Sequence, residues 1–381
     1  MSYKKNLLVA FLVAAILALP APADEMVSPS WGYALDLPEG YALQDSRGND
    51  RFHFSHELYP VELQIAVYPV TQFNAVGEAL SWVTDQLAPG AKKVAFEWRR
   101  RPAGIAQMEG AQIGGWALAL ALADSKGWLV MAVYGPADRA VELEPLMIST
   151  LDGVFTDDGS YYETGPMTAF AWPAGSPVEA RYRNGNTAVD VSFDDTDSDA
   201  SQSVVDREFS LLTAFLGTPY VIPAWKRYYR AIWRDSWGRF AKATFKLGAF
   251  LPERSDALLK ELLTWTQGFT YERDFSGSDF TNLPKAFASE TGDCDSRSLL
   301  LVLMLNQLGV DAILLVSPDY GHAIAAADCP GEGARYELAG KKYLVADTTS
   351  REAPGRIAAD MADSSKWFSV TFHAFPPQTN E

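Results

Sequence analysis

The chain has 381 residues, 48% of them hydrophobic and 12% aromatic, which is longer than one typical domain and rich enough in apolar side chains for more than one core. Its formal charge of −16 argues against nucleic acid as a partner, because a phosphate backbone selects for a basic face.

In chain order, Lys4-Lys5, an apolar run from Leu7 to Leu19 and the small-residue end Ala21-Pro22-Ala23 form the pattern of a secretory signal peptide over residues 1–23, cleaved after Ala23. The run is too short for a comfortable bilayer span, and no later segment approaches one. No cysteine lies near the cleavage point, so no lipoprotein anchor is expected. The expectation is an exported, soluble protein of a bacterial periplasm or the extracellular medium, and loss of Lys4 and Lys5 makes it more acidic still.

Residues 24–157 read as an α+β domain. Alternation and turn signals predict strands at Asp50–Phe54 and Val61–Val67, and a helix at Ala75–Leu87. A hairpin follows, Trp116–Leu122 and Trp128–Tyr134 around the turn at 125–127, and then a helix at Ala137–Leu151. The opening stretch Tyr33–Tyr41 together with the later helix resembles the PsbP-like sandwich folds, a resemblance that implies scaffolding or binding and no chemistry. His53 and His56 sit at i, i+3 on a strand and face opposite sides, so they do not read as a metal pair.

Residues 158–250 read as a linker and a largely helical connecting region. Asp157–Gly165 is polar and turn-rich. Asp195, Asp197 and Asp199 carry a partial calcium-loop spacing, but Ala200 stands where glycine is needed and Asp206 where glutamate is, so a solvated turn is expected. From Ala224 to Leu247 the aromatics Trp225, Tyr229, Trp233, Trp237 and Phe240 recur at helical spacing. Lys226, Arg227, Arg230, Arg234, Arg239, Lys242 and Lys246 stand against Asp235 alone. Two accounts of this basic amphipathic helix 224–247 are open. Its cations dock on acidic faces of the same chain, or they contact anionic membrane lipid or cell-wall polymer.

Residues 251–381 carry the chemistry. After a helix at Ser255–Gln267, Gly292-Asp293-Cys294-Asp295 runs into an apolar helix, Ser298–Leu308, that ends at Gly309. Cys294 at its first turn meets unpaired N–H groups and the positive end of the helix dipole, which predicts a thiol pKa below the free value of about 8.5. The Cys294 N–H is a candidate oxyanion donor. A buried strand, Asp311–Val316, and a turn then deliver His322 at the head of a strand ending at Ala327. Ala339-Gly340 reverses Tyr336–Leu338 into Lys342–Asp347, so that an antiparallel neighbour presents Asp347 to His322. Cys, His and Asp in that order are the parts of a thiol acyl-transfer site: a thiolate attacks, an imidazole takes and returns the proton, and an acid fixes the tautomer. Each has a plainer alternative, as a packing cysteine, a core histidine or a turn aspartate. A Cys294–Cys329 disulfide would block the nucleophile, and a free Cys329 is expected.

The stretch 258–349 resembles the transglutaminase-like cysteine peptidase superfamily, in its prokaryotic branch. The resemblance rests on Gly292-Asp293-Cys294-Asp295-Ser296-Arg297-Ser298, on Gly321-His322-Ala323, and on Asp347-Thr348-Thr349 where that branch often has Glu-Thr-Thr. It implies a papain/transglutaminase-like domain in which the Cys-bearing helix packs on an antiparallel sheet, with catalytic Cys294, His322 and Asp347. It also implies an oxyanion role for Gln267 and no requirement for cofactor or metal. The expected function is a thiol-dependent hydrolase or acyltransferase for peptide or protein amide bonds, first of all a cysteine peptidase. A protein-glutamine transglutaminase or amidase would use the same triad, and a catalytically silent binding module of the cell envelope is the alternative from another class.

Overall fold

The computed structural model describes residues 26–273 and 278–372, so the leader assigned to 1–23 lies outside the described residues. The fold is mixed α and β. Strands β1 (Met26–Ser28) and β2 (Tyr33–Leu35) pair first. Then come β3 (Tyr41–Arg47), β4 (Arg51–His56), β5 (Glu62–Pro69), helix α1 (Val76–Leu87), β6 (Lys92–Trp98), β7 (Arg101–Glu109), β8 (Ile113–Ala121), β9 (Gly127–Pro136) and α2 (Ala140–Asp152). Short β10 (Val154–Phe155) returns to β2. Strands β3 to β9 make an antiparallel seven-stranded sheet in the order β3-β4-β5-β9-β8-β7-β6. Period-two alternation gives it two apolar faces. Val130 and Ala132 of β9 pack with Val76 and Leu80 of α1, whereas Leu129, Met131 and Val133 join Leu143 and Met147 of α2.

Three strands of this seven-stranded sheet, β3, β6 and β7, were not expected from sequence, for physical reasons. β3 is an edge strand that leaves most of its residues in solvent, so it has no apolar alternation to read. β6 and β7 are joined through Arg99 and Arg100, both in the left-handed region (φ 52° and 59°) without the Gly, Asn or Asp that announces such a turn. Arg99 and Arg101 are held instead by Asp157, at 2.6 and 2.8 Å.

The stretch read as a polar linker is structured. Asp157 caps a short 3-10 helix, Asp158–Tyr162, by accepting from the Ser160 N–H at 3.0 Å, and Ser160 and Tyr161 are buried. Helix α3 (Pro166–Ala171), the hairpin β11 (Pro177–Asn184) and β12 (Thr187–Asp194), α4 (Asp197–Ala214) and α5 (Val221–Gly248) follow. The partial calcium spacing proves to be the start of α4: Asp197 accepts from the Asp194 N–H at 2.8 Å and pairs with Arg239 at 2.7 Å.

Most cations of α5 turn inward. Arg227 pairs with Glu208 at 2.5 Å, Arg230 with Asp36 at 3.0 Å and Arg239 with Asp235 at 2.8 Å, while Arg234 donates to the carbonyls of Asp152 and Val154 at 2.6 and 3.0 Å. The cations left toward solvent are the half-buried Lys226 and the exposed Lys242 and Lys246. No helix among the described residues is long and apolar enough to cross a membrane.

The remainder comprises α6 (Ser255–Thr266), β13 (Thr270–Tyr271), α7 (Leu283–Ser289), β14 (Thr291–Gly292), α8 (Cys294–Gln307), β15 (Ala312–Ser317), β16 (His322–Ala327), β17 (Arg335–Leu338), β18 (Lys341–Ala346) and β19 (Phe368–Val370). The last five strands form an antiparallel sheet in the order β17-β18-β16-β15-β19. Its face toward α8 is built from Leu314, Val316, Ala323, Ala325, Ala327, Leu344 and Ala346. The alanines of β16 let the leucine-rich helix approach closely. The opposite face, with Ile313, Leu315, Ile324, Tyr343 and Val345, is covered by Trp367. One continuous core runs from Tyr33 to Phe372 and takes in α2, α5 and α8, so residues 158–250 wedge the two sheets together.

Glu208, 2% exposed, is bound by both Arg207 and Arg227. Glu208→Ala leaves the buried Arg227 guanidinium without its carboxylate, while Arg207 keeps Asp152, and is expected to destabilise the protein by about 3–5 kcal/mol, read from the urea midpoint.

Candidate active site

Helix α8 begins where it does because Asp293 caps it, accepting from the Ser296 N–H at 2.8 Å and from the Ser296 hydroxyl. Gly292, with φ of 153°, adopts a backbone that side-chain-bearing residues avoid, and a Cβ there would stand 3.1 Å from Ser296 Cβ. The polar residues of the first turn then fasten the helix. Arg297, 2% exposed, donates to the carbonyls of Gly292 (2.8 Å), Phe269 (2.9 Å) and Thr348 (3.4 Å). Ser298 donates to the Ala323 carbonyl at 3.1 Å and meets the Thr348 hydroxyl at 3.0 Å. The loop before Cys294, the strand of His322 and the segment that carries Asp347 are therefore tied together through main-chain carbonyls.

These ties bring the three candidate residues to one end of the five-stranded sheet. Pairing of Ala325 with Ala346 across β16 and β18 carries His322 and Asp347 onto neighbouring positions beyond the ladder. His322 Nε2 lies 3.3 Å from Asp347 Oδ2, and the other carboxylate oxygen accepts from the Thr349 N–H at 2.9 Å and its hydroxyl at 2.7 Å. Burial works to raise the Asp347 pKa, but the hydrogen bond from His322 and those from Thr349 hold it below the ordinary value. With Nε2 turned to Asp347, Nδ1 is the nitrogen left for the thiol. Cys294 is buried, 6% exposed, and its sulfur lies against the N–H of Ala323, the residue next to His322.

Two expectations are corrected. The thiol pKa is raised, not lowered: burial, then the charges of Asp295 and Asp293, push Cys294 far above its usual value. The sulfur donates to Asp295 Oδ1 at 3.1 Å, and the other oxygen of Asp295 accepts from the Tyr229 hydroxyl of α5 at 2.5 Å. Gln267 does not stand free for an oxyanion. Its amide nitrogen donates to the carbonyls of Asp347 (2.8 Å) and Glu352 (2.9 Å), so it braces the loop carrying the acid. The Cys294 N–H, at the first position of α8, remains the backbone candidate.

Cys294 and Cys329 are both free thiols, as the sequence reading expected of Cys329. Asp293, Cys294 and Asp295 hold ligand-type atoms within 4.8 Å of one another. Those atoms are already taken up by Ser296, by Tyr229 and by the thiol itself, and we assign no ion to them.

A cleft of about 790 Å³ opens over His322 and Asp347, lined also by Tyr271, Tyr320, Ile357 and Met361. Tyr271 is half exposed at its edge, with the Arg297 guanidinium 5.3 Å from its ring centre. Sequence reasoning quoted Arg297 and Ser298 as motif residues and Tyr229 as a helix aromatic, but gave none of the three a role at the site. The signal was present for the first two: charged or hydroxyl side chains entering a helix otherwise buried all round must find partners.

No protein-family model matches the chain, and no curated protein matches it in sequence. Among solved structures, it is similar to the Saccharomyces cerevisiae Ran-binding protein Mog1p, at 10% identity over 36% of this chain and 96% of that one, with a TM-score of 0.27. It is similar to the cyanobacterial PsbP protein CyanoP of Synechocystis, at 12% identity over 38% and 98%, TM-score 0.29. A Bacteroides thetaiotaomicron protein matches at 8% identity over 87% and 90%, TM-score 0.21. A PsbP-like protein is thus among the weak structural neighbours, and at such scores the likeness carries no functional argument.

Burial, with help from Asp295, brings the Asp293 pKa up from 3.8 to about 7. The folded protein holds that proton more tightly than the unfolded chain. The stabilisation is therefore full below about pH 4, fades as pH rises toward 7 and is absent above. Asp293→Asn keeps a capping side chain and removes this dependence. Its melting temperature is expected to gain on the wild type between pH 4 and pH 8, with the largest difference at pH 8, measured by calorimetry across that range.

Proposed function

We propose that the chain is an exported thiol-dependent hydrolase or acyltransferase for amide bonds of peptides or proteins, acting first of all as a cysteine peptidase. The observation that carries the reading is the His322–Asp347 pair, 3.3 Å apart at the rim of a cleft, with Cys294 Sγ against the neighbouring Ala323 N–H. The likeness of 258–349 to transglutaminase-like peptidases supports it, and so does the leader-like start for export.

In this reading His322 Nδ1 takes the thiol proton and the thiolate attacks the substrate carbonyl, whose oxygen turns toward the first N–H of α8. His322 then gives the proton to the departing amine as the C–N bond breaks, leaving a thioester on Cys294. Water, deprotonated by His322, releases the acid. An amine in place of water gives transamidation through the same thioester. Asp347 holds Nε2–H throughout and supports the imidazolium.

A second reading, a silent module whose thiol fold is scaffold, is favoured by the burial of Cys294 and its contact with Asp295.

Mass spectrometry of a random peptide library incubated with the full chain separates the two. Cys294→Ser is expected to lower cleavage by about 10³-fold or more, and His322→Ala by about 10²-fold or more. Cys329→Ser is expected to leave it unchanged. Cleavage that survives Cys294→Ser, or no cleavage by the wild type together with alkylation of Cys294 that ignores His322→Ala, would sink the enzyme reading.

A further inference from the structure

The thiol of Cys294 has one acceptor in contact, Asp295, and a second assigned to it by the proposed function, His322. His322 belongs to the proposed triad. Asp295 holds the contact in this structure, Sγ to Oδ1 at 3.1 Å, and is itself gripped from behind by Tyr229 at 2.5 Å. Tyr229 is fully buried on α5, flanked by Trp225 and Tyr228, so its hydroxyl cannot swing out to water.

We propose, on the footing of the thiol-enzyme reading above, that Asp295 propped by Tyr229 is a proton latch on the nucleophile. While Asp295 is a carboxylate it accepts the S–H bond, and Cys294 stays a neutral, unreactive thiol. When Asp295 takes up a proton its hydrogen bond reverses: the O–H donates to sulfur, the thiolate is supported, and the thiol proton passes to His322 Nδ1. The proton count balances, one arriving at Asp295 from solvent and one moving from sulfur to imidazole.

The charged and titratable groups around this pair come from every adjoining element. They are Tyr228 and Tyr229 of α5, Asp279 before α7, Asp293 at the cap of α8 and Arg297 within it, Tyr271 of β13 with Arg273 just after it, and His322 of β16. Asp293 and Asp279 reinforce the negative field. Arg297 donates to backbone carbonyls and does not bridge Asp295. Asp295 is a positioning residue in this scheme, because it acts through the protonation of Cys294.

The test is the pH profile of iodoacetamide alkylation of Cys294 in the full chain carrying Cys329→Ser. Asp295→Asn removes the charge and leaves a permanent donor to sulfur. Its midpoint is expected to fall by at least about one pH unit, which makes alkylation at pH 7 about tenfold faster. Tyr229→Phe weakens the carboxylate and is expected to shift the midpoint the same way by less. Should Asp295→Asn not fold, the isosteric Tyr229→Phe shift decides alone. A midpoint that stays put or rises in Asp295→Asn overturns the latch. Adding His322→Ala to each background separates the two ideas: loss of the His322 effect on wild-type rate bears on the triad, whereas the Asp295→Asn shift bears on the latch whichever way the triad test falls.

Discussion

The Arg297 guanidinium is the tie on which the site depends. It is buried without a carboxylate of its own and donates to three main-chain carbonyls, those of Gly292, Phe269 and Thr348. Those carbonyls belong to the turn before Cys294, the segment that follows α6 and the stretch just after Asp347. Charged hydrogen bonds of this kind are worth about 1.5–3 kcal/mol each, and a buried cation deprived of them costs more than their sum suggests. The position of Cys294 relative to Asp347 is therefore set through one side chain three residues from the sulfur. Ser298 adds the link to β16, so the helix cannot slide along the sheet without breaking it.

Around this tie the alanines of β16 settle how near the helix stands. Ala323, Ala325 and Ala327 all face α8, and each is fully buried. A larger residue at any of them would lift α8 from the sheet. The reach from sulfur to the histidine strand is thus a matter of side-chain volume as well as of hydrogen bonding.

What was legible in the chain was what periodicity and turn chemistry control. The apolar run of α8, the Ala339-Gly340 turn with both residues at positive φ, and the pairing of Asp347 with His322 follow from local pattern and appear in the fold. What escaped were features decided by distant partners. The Arg99-Arg100 turn is held by Asp157, 58 residues away from Arg99 in sequence. Gln267 sits in a motif-like setting, yet its amide is claimed by two carbonyls 80 and 85 residues downstream. The thiol's electrostatics were misjudged because the helix dipole can be read from position, whereas the burial of the Asp293 and Asp295 charges beside it cannot.

Helix α5 touches both halves of the molecule. Arg230 grips Asp36 beside β2, and Tyr229, the residue before it, holds Asp295 beside the thiol. These two grips leave the same turn of one helix; one ends just after β2 and the other on the first turn of α8. A displacement imposed at one is delivered to the other with little loss, since a packed helix transmits movement and does not absorb it. Coupling of that kind is reciprocal: a shift that tugs Asp36 would alter the setting of Asp295, and a shift at Asp295 would act back on Asp36 by the same free energy. In such an arrangement Asp36 and the first turn of α8 are the two ends of one lever.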